Sequence, residues 1–233
     1  IGRNSLASNL VILGLCGILV SIIVDVLGML IIWNDRDSHS ALPLGALLLL
    51  AALVSSAYLG EVLSPSYALA ANWSYVLALL QAFIPIAWIV VTISLAGNPS
   101  TLRGWRLMLL MLVPLSTLLV VAVPSLRSFY WSSHTYVKMD GVLIAHHRYN
   151  VWAWVQFGYT ISLILIGFIV WLKKQRQSAP ISMRIGITLS FMALVPVIPL
   201  FLQFLGLTDE QQVALVGLGM VISSVVAVYG LLD

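Results

Sequence analysis

Few residues in this chain could do chemistry. Of its 8 acidic side chains, only Asp25 sits deep in an apolar run, and Glu61 ends another. The 4 histidines, His39, His134, His146 and His147, all fall between apolar runs. Nucleophilic or acid–base catalysis needs a nucleophile held against a base that a third group orients. No apolar run offers a His to an inward-facing Ser, and the chain has no phosphate-binding loop or zinc spacing. The single cysteine, Cys16, has no partner for an intrachain disulfide. No catalytic residue, metal ligand or cofactor is therefore assigned. A retinal pigment is excluded as well, because the last apolar run lacks the lysine that a Schiff base requires.

What remains is recognition by polar and aromatic side chains at helical spacing. Trp73, Leu77, Gln81, Ile84 and Trp88 share one helical face, and Tyr149, Trp152, Gln156 and Tyr159 share another. An amide in lipid is costly, so both glutamines are expected to point inward. With Glu61 and Gln203 they outline a candidate ligand pocket of Glu61, Trp73, Gln81, Trp88, Trp152, Gln156, Tyr159 and Gln203. Ordinary helix packing with interhelical hydrogen bonds is the competing arrangement. Glu61 either holds the polar head of a ligand or pairs with Arg127 or Arg148. Asp25 would cost about 2.5–3.5 kcal/mol if it faced lipid. It is either an inward switch or proton-linked group, or a carboxylate satisfied by hydroxyls or reaching toward Arg36. Pro196 and Pro199 remove two backbone donors within one turn, which predicts a kink that is either a signalling hinge or merely tolerated.

The elements that position these residues follow from composition. The 233 residues are 61% hydrophobic and 8% charged, against roughly 25% charged in soluble domains. Lipid must cover such a chain. About 20 apolar residues cross a bilayer as a helix, and seven segments qualify, at about 8–33, 41–63, 75–96, 105–123, 152–172, 181–205 and 210–232. The fold class expected is an all-α membrane protein, a seven-helix bundle forming one membrane domain over 1–233. The net charge of +3 includes no basic patch long enough for nucleic acid. The chain begins at Ile1 without a signal peptide, so a short preceding piece is expected to be missing or removed.

Basic residues set the orientation. With the N-terminus outside, Arg36, Arg103, Arg106, Lys173, Lys174, Arg176 and Arg184 lie inside, against Arg3, Arg127, Lys138 and Arg148 outside. The C-terminus is then cytoplasmic. The long connection between the fourth and fifth spans holds Asp140-Gly141 between alternating runs, a two-residue hairpin signal. A short extracellular β-hairpin at about 134–147 follows, with His134 opposite His147. Its apolar face, Val137, Met139, Val142 and Ile144, is expected on the helix ends. His134, Tyr136, Lys138, Leu143 and His147 are expected to meet water, and two imidazoles are too few for a closed metal site.

The chain resembles the N-terminal seven-transmembrane sensor region of bacterial histidine kinases, a module also found before other signalling outputs. The resemblance rests on Leu-Gly-Glu61-Val-Leu-Ser-Pro and on Trp73 and Gln81 ahead of Ile84-Pro-Ile-Ala-Trp88. It extends through Trp131-Ser leading to Asp140-Gly141, then Tyr149-Asn-Val-Trp152-Ala-Trp154, Leu194-Val-Pro196 and Leu231-Leu-Asp233. Departures are Val123-Pro-Ser-Leu-Arg127, where the family often has Asn-Pro and then His, Pro199 in place of a polar residue, and Asp25 itself. The resemblance implies a non-enzymatic receptor module of a two-component system in the bacterial inner membrane. It would take a small-molecule or lipid-like ligand and drive a cytoplasmic signalling domain in cis through the last helix, with a homodimer left open. A structural subunit of a larger membrane complex and a small transporter are the alternatives. The absence of a second break matching Pro196 and Pro199 speaks against the transporter.

Overall fold

Inside a bilayer no water satisfies backbone amides, so long apolar stretches close their hydrogen bonds internally as helices. The computed structural model describes residues 2–34, 41–96, 104–139, 142–175 and 212–232. They form α1 (Gly2–Asn34), α2 (Ala41–Val62), α3 (Tyr67–Leu95), α4 (Trp105–Ala122), a 3-10 segment (Pro124–Phe129), β1 (Trp131–Met139), β2 (Val142–Tyr149), α5 (Val151–Gln175) and α6 (Gln212–Leu232). Among the described residues, five helices, α1 to α5, are long and apolar enough to cross a membrane. The helix α6 occupies the stretch counted as the seventh span. The expected sixth span, with Pro196, Pro199 and Gln203, lies outside the described residues, as does the Asp140-Gly141 turn.

The third span differs from expectation. It begins at Tyr67 rather than near Tyr75, because the Ser66 hydroxyl caps the helix by accepting from the Leu69 amide at 3.4 Å. The added turns carry Trp73 and Ser74 beneath the hairpin. Pro85 in α3 and Pro114 in α4 sit inside continuous helices.

Four apolar clusters organise the bundle. At one end Val11 and Ile18 of α1, Tyr58 and Val62 of α2 and Val216 of α6 pack with Val142 and Ile144 of the hairpin. At the opposite end Ile32, Leu44, Leu47, Leu48, Trp88, Val91 and Ile164 form a second cluster. Two further clusters join α3 to α4 and α5. First and last helices meet through glycines: a Cβ on Gly217 would collide with the backbone of Gly14, and one on Gly17 would lie 3.1 Å from the Gly217 carbonyl. Small residues permit such close approach between membrane helices. The outward faces carry Leu19, Ile23, Leu27, Met108, Leu112, Leu165 and Ile169, all exposed. These are surfaces that only lipid or another apolar partner would cover.

The hairpin is antiparallel, with His134 opposite His147, Tyr136 opposite Ala145 and Val137 opposite Ile144, the register expected from an Asp-Gly turn. A bulge between Trp131 and Ser133 ends the regular pairing. Asn150 ties the ribbon down. Its backbone amide donates to the Tyr130 carbonyl at 2.8 Å, its side-chain amide donates to the Ser128 carbonyl at 2.7 Å, and its Oδ1 accepts from the Val151 amide that opens α5.

Candidate functional site

The orientation of the ribbon corrects the sequence expectation. Val142 and Ile144 are buried as expected, but Val137 is 51% exposed. His134, Tyr136 and His147, expected in water, turn onto the helix ends. The physical reason lies beneath them. Glu61, 2% exposed, needs donors, and Ser74 and His147 provide them. Rings also bury more apolar surface than the slender Val137 side chain.

Glu61 is the centre of the arrangement. The Ser74 hydroxyl donates to its Oε1 at 2.5 Å, and His147 Nε2 lies 3.1 Å from the same oxygen. A carboxylate is an acceptor, so His147 carries its proton on Nε2. Ser74 has one hydrogen and commits it to Glu61 in a short, charge-assisted bond. Tyr136, 2.8 Å from the Ser74 oxygen, must then be the donor of that pair. Burial pushes the Tyr136 phenol above its ordinary range, which keeps the donor proton in place. Arg127 is not the partner of Glu61: its Nε donates to the Val121 carbonyl at 2.8 Å, and its guanidinium lies 4.1 Å over the Tyr75 ring.

Around this centre stand aromatic rings. His134 meets His147 edge-on at 4.5 Å between centroids, Trp131 at 4.7 Å and Tyr75 at 5.7 Å. Both ring nitrogens of His134 and Nδ1 of His147 are buried without a hydrogen-bond partner among the described residues. Burial, the neighbouring His147 and the Arg127 guanidinium together hold the His134 imidazole down at about 4. Ser, His and Glu side chains meet here, yet the geometry is not that of a hydrolase. The serine bonds the carboxylate directly, the same imidazole nitrogen faces Ser74 at 3.4 Å and Glu61, and the far nitrogen lacks the orienting acid a triad requires. The arrangement holds the ribbon to the helix ends.

The other sequence candidates distribute over the bundle. Trp73 lies against Gly60 of α2, where a Cβ would meet its ring at 2.7 Å. Gln81 is half-buried further along α3. Trp152 donates from Nε1 to Thr117 at 3.0 Å, and Thr117 donates to Gln156 at 3.4 Å, a polar bridge between α4 and α5. Tyr159 donates to the Leu110 carbonyl at 2.6 Å. Trp88 belongs to the opposite end, where its Nε1 points to the Ile164 carbonyl at 3.4 Å and Gly167 makes room for the ring. The α3 stripe thus divides between α2 and α5, and Trp88 and Tyr159 lie apart from the Glu61 centre.

Asp25 is 1% exposed. Its carboxylate oxygens have no partner at hydrogen-bond geometry among the described residues, although the Ser224 hydroxyl of α6 stands beside it. Ser21, one turn earlier, donates to Ser55 of α2 at 3.2 Å, and Ser55 approaches the Met220 sulfur at 3.4 Å. These groups form a polar seam through α1, α2 and α6.

Ser74, Tyr136, His134 and His147 are site members that sequence reasoning did not assign. The signal was present in the ribbon's own alternation, since the supposed apolar face also carries Ser133, Thr135, His146 and Arg148. Among the described residues, no group of three or more His, Cys, Asp or Glu side chains is arranged to hold a metal ion.

Comparison with curated proteins finds no match. The family model described as the N-terminal 7TM region of histidine kinase matches residues 17–233, which takes in every residue of the Glu61 centre and the described part of α6. That region is the non-catalytic membrane part of such kinases, and the apolar helices make the protein multi-pass. The chain therefore belongs to the family of N-terminal seven-transmembrane regions of histidine kinases.

Proposed function

We propose that this chain is the sensory module of a histidine kinase or related signalling protein. A signal at the hairpin end would be passed through α6 to a cytoplasmic output domain. The observation that carries the reading is a shared core: Val142 and Ile144 of the hairpin pack in one cluster with Val216 of α6 and with Val11 and Ile18 of α1. A displaced hairpin changes the packing of the helix that leads toward Leu232. A rigid helix can pass such a shift across roughly 30 Å of hydrocarbon. The candidate input residues are Glu61, Ser74, Tyr136 and His147, with Trp73, Trp152 and Gln156 in the neighbouring half of the bundle. The input would be a small-molecule, lipid-like or ionic signal. A second copy of the chain is a candidate partner, because paired output domains are a natural target for a rotating helix.

The orientation in this proposal is hairpin outside and Leu232 inside the bacterial inner membrane. In a Cys16→Ser background, a membrane-impermeant thiol reagent added to intact cells should label Ser132→Cys and spare Ser178→Cys. The opposite pattern would reverse the input and output faces.

The relay is tested in the full-length protein. Inserting one and then two residues after Leu232 rotates whatever follows by roughly 100° each on a helix of 3.6 residues per turn. Output activity should swing in opposite directions or change severalfold between the two insertions. Identical activity and response in both would leave α6 as an anchor and remove the relay.

A further inference from the structure

We propose that protons are a signal read at the hairpin end, and that His134 is the group that takes them up, unseating the ribbon from the helix ends. The proposal rests on the reading of that end as the input face. His134 is wedged against Trp131, His147, Tyr75 and Tyr136, and among the described residues neither of its ring nitrogens has a hydrogen-bond partner. A neutral imidazole in this position leaves one N–H without an acceptor. A protonated one leaves two, and adds a charge to a site shielded from water.

The groups facing His134 do not compensate. From α2 comes Glu61, whose carboxylate is already engaged by Ser74 and His147. From α3 come the Tyr75 and Tyr67 rings, and the 3-10 segment brings the Arg127 cation over the ring of Tyr75. Its own strand supplies the Tyr136 phenol, committed to Ser74, and β2 supplies His147 and Tyr149. Lys138 stands further out on the same face, while His146 and Arg148 lie on the other. Arg127 already covers the face of Tyr75, and its like charge opposes an imidazolium at His134.

The sign follows from linkage. An imidazole released to water titrates near 6.5, whereas the seated one is held at about 4. The seated hairpin therefore binds protons less readily than the released one. Its advantage is complete above about pH 6.5 and is lost as pH falls toward 4. From pH 7.5 to pH 5 the released-to-seated ratio should rise on the order of tenfold.

The test uses the whole chain in lipid nanodiscs, with Cys16→Ser and spin labels at Asn72→Cys on α3 and Thr135→Cys on β1, both exposed positions. At pH 7.5 one short distance is expected. At pH 5 a longer one should grow by the factor above, and His134→Phe, which keeps a ring but cannot titrate, should hold the short distance at both pH values. A wild-type distance that does not respond, or a His134→Phe chain that opens like wild type, overturns the proposal. If the Phe ring fails to seat at pH 7.5, histidine-selective nitrogen NMR of the wild-type chain decides: His134 must titrate well below 6.5, and a value at or above 6.5 overturns the proposal. Neither readout involves the output domain. An opening hairpin with unresponsive output would remove the relay while leaving the proton site intact.

Discussion

Gly217→Leu should destabilise the described bundle severely. The new side chain would enter a contact where even a Cβ collides with the backbone of Gly14. Backbone cannot rotate aside as a side chain can, so α1 and α6 must separate. Overpacking typically costs about 1–3 kcal/mol, and this site belongs at or above the upper end. Separation would also pull apart the seam beside it, where Ser55 reaches Met220 and Ser224 stands by Asp25. Gly217→Ala should cost less, and Leu218→Ala, on the exposed side of the same helix, should cost little. Thermal unfolding of the purified chain in detergent orders the three variants. A leucine variant as stable as wild type would mean that the two helices do not meet through these glycines.

Glu61→Ala should release the hairpin. The substitution leaves His147 Nε2 without its carboxylate acceptor in a buried site, while the Ser74 hydroxyl falls back on the Ala70 carbonyl at 3.2 Å. Stranding a buried donor costs about 1–3 kcal/mol if it finds no water. Proteolytic nicking or amide exchange within Trp131–Tyr149 should then accelerate roughly ten- to a hundredfold, since each 1.4 kcal/mol is tenfold. Glu61→Gln keeps one acceptor oxygen and nearly the same shape, so a much smaller change is expected. Unchanged protection in Glu61→Ala would show that the apolar contacts of Val142 and Ile144 alone hold the ribbon in place.

The sequence was most readable where one physical constraint acted alone. Hydrocarbon imposes long apolar segments, so α2 and α4 begin where the apolar runs begin, at Ala41 and Trp105. The Asp-Gly turn and strand alternation set His134 against His147 on spacing alone. The ribbon's inward face was only partly legible: Ser133, Thr135, His146 and Arg148 on the supposed apolar face pointed to it, but polarity was read there as a proxy for exposure. A buried carboxylate on another element reverses that rule, and nothing local to residues 131–149 announces Glu61 below. Ser74 was lost for a related reason. Hydropathy begins the third span at Tyr75, whereas a single capping hydroxyl on Ser66 begins the helix two turns earlier. The stripes on α3 and α5 were correctly periodic, but periodicity names a face and not its neighbour. Gln156 finds Thr117, while Trp88 finds the Ile164 carbonyl at the far end.

The glycine contact between α1 and α6 has a consequence for how the protein is made. It joins the first described helix to the last, so about 200 residues are made between Gly17 and its partner Gly217. Contacts of such sequence separation close late, after shorter loops have formed. While the chain emerges at about 5–20 residues per second, α1 therefore waits in the membrane for roughly ten seconds or more with its glycine face open and Asp25 unmatched by α6. Quality control acting in that interval would find a chain truncated before Gln212 by the same uncovered surface that α6 closes in the finished molecule.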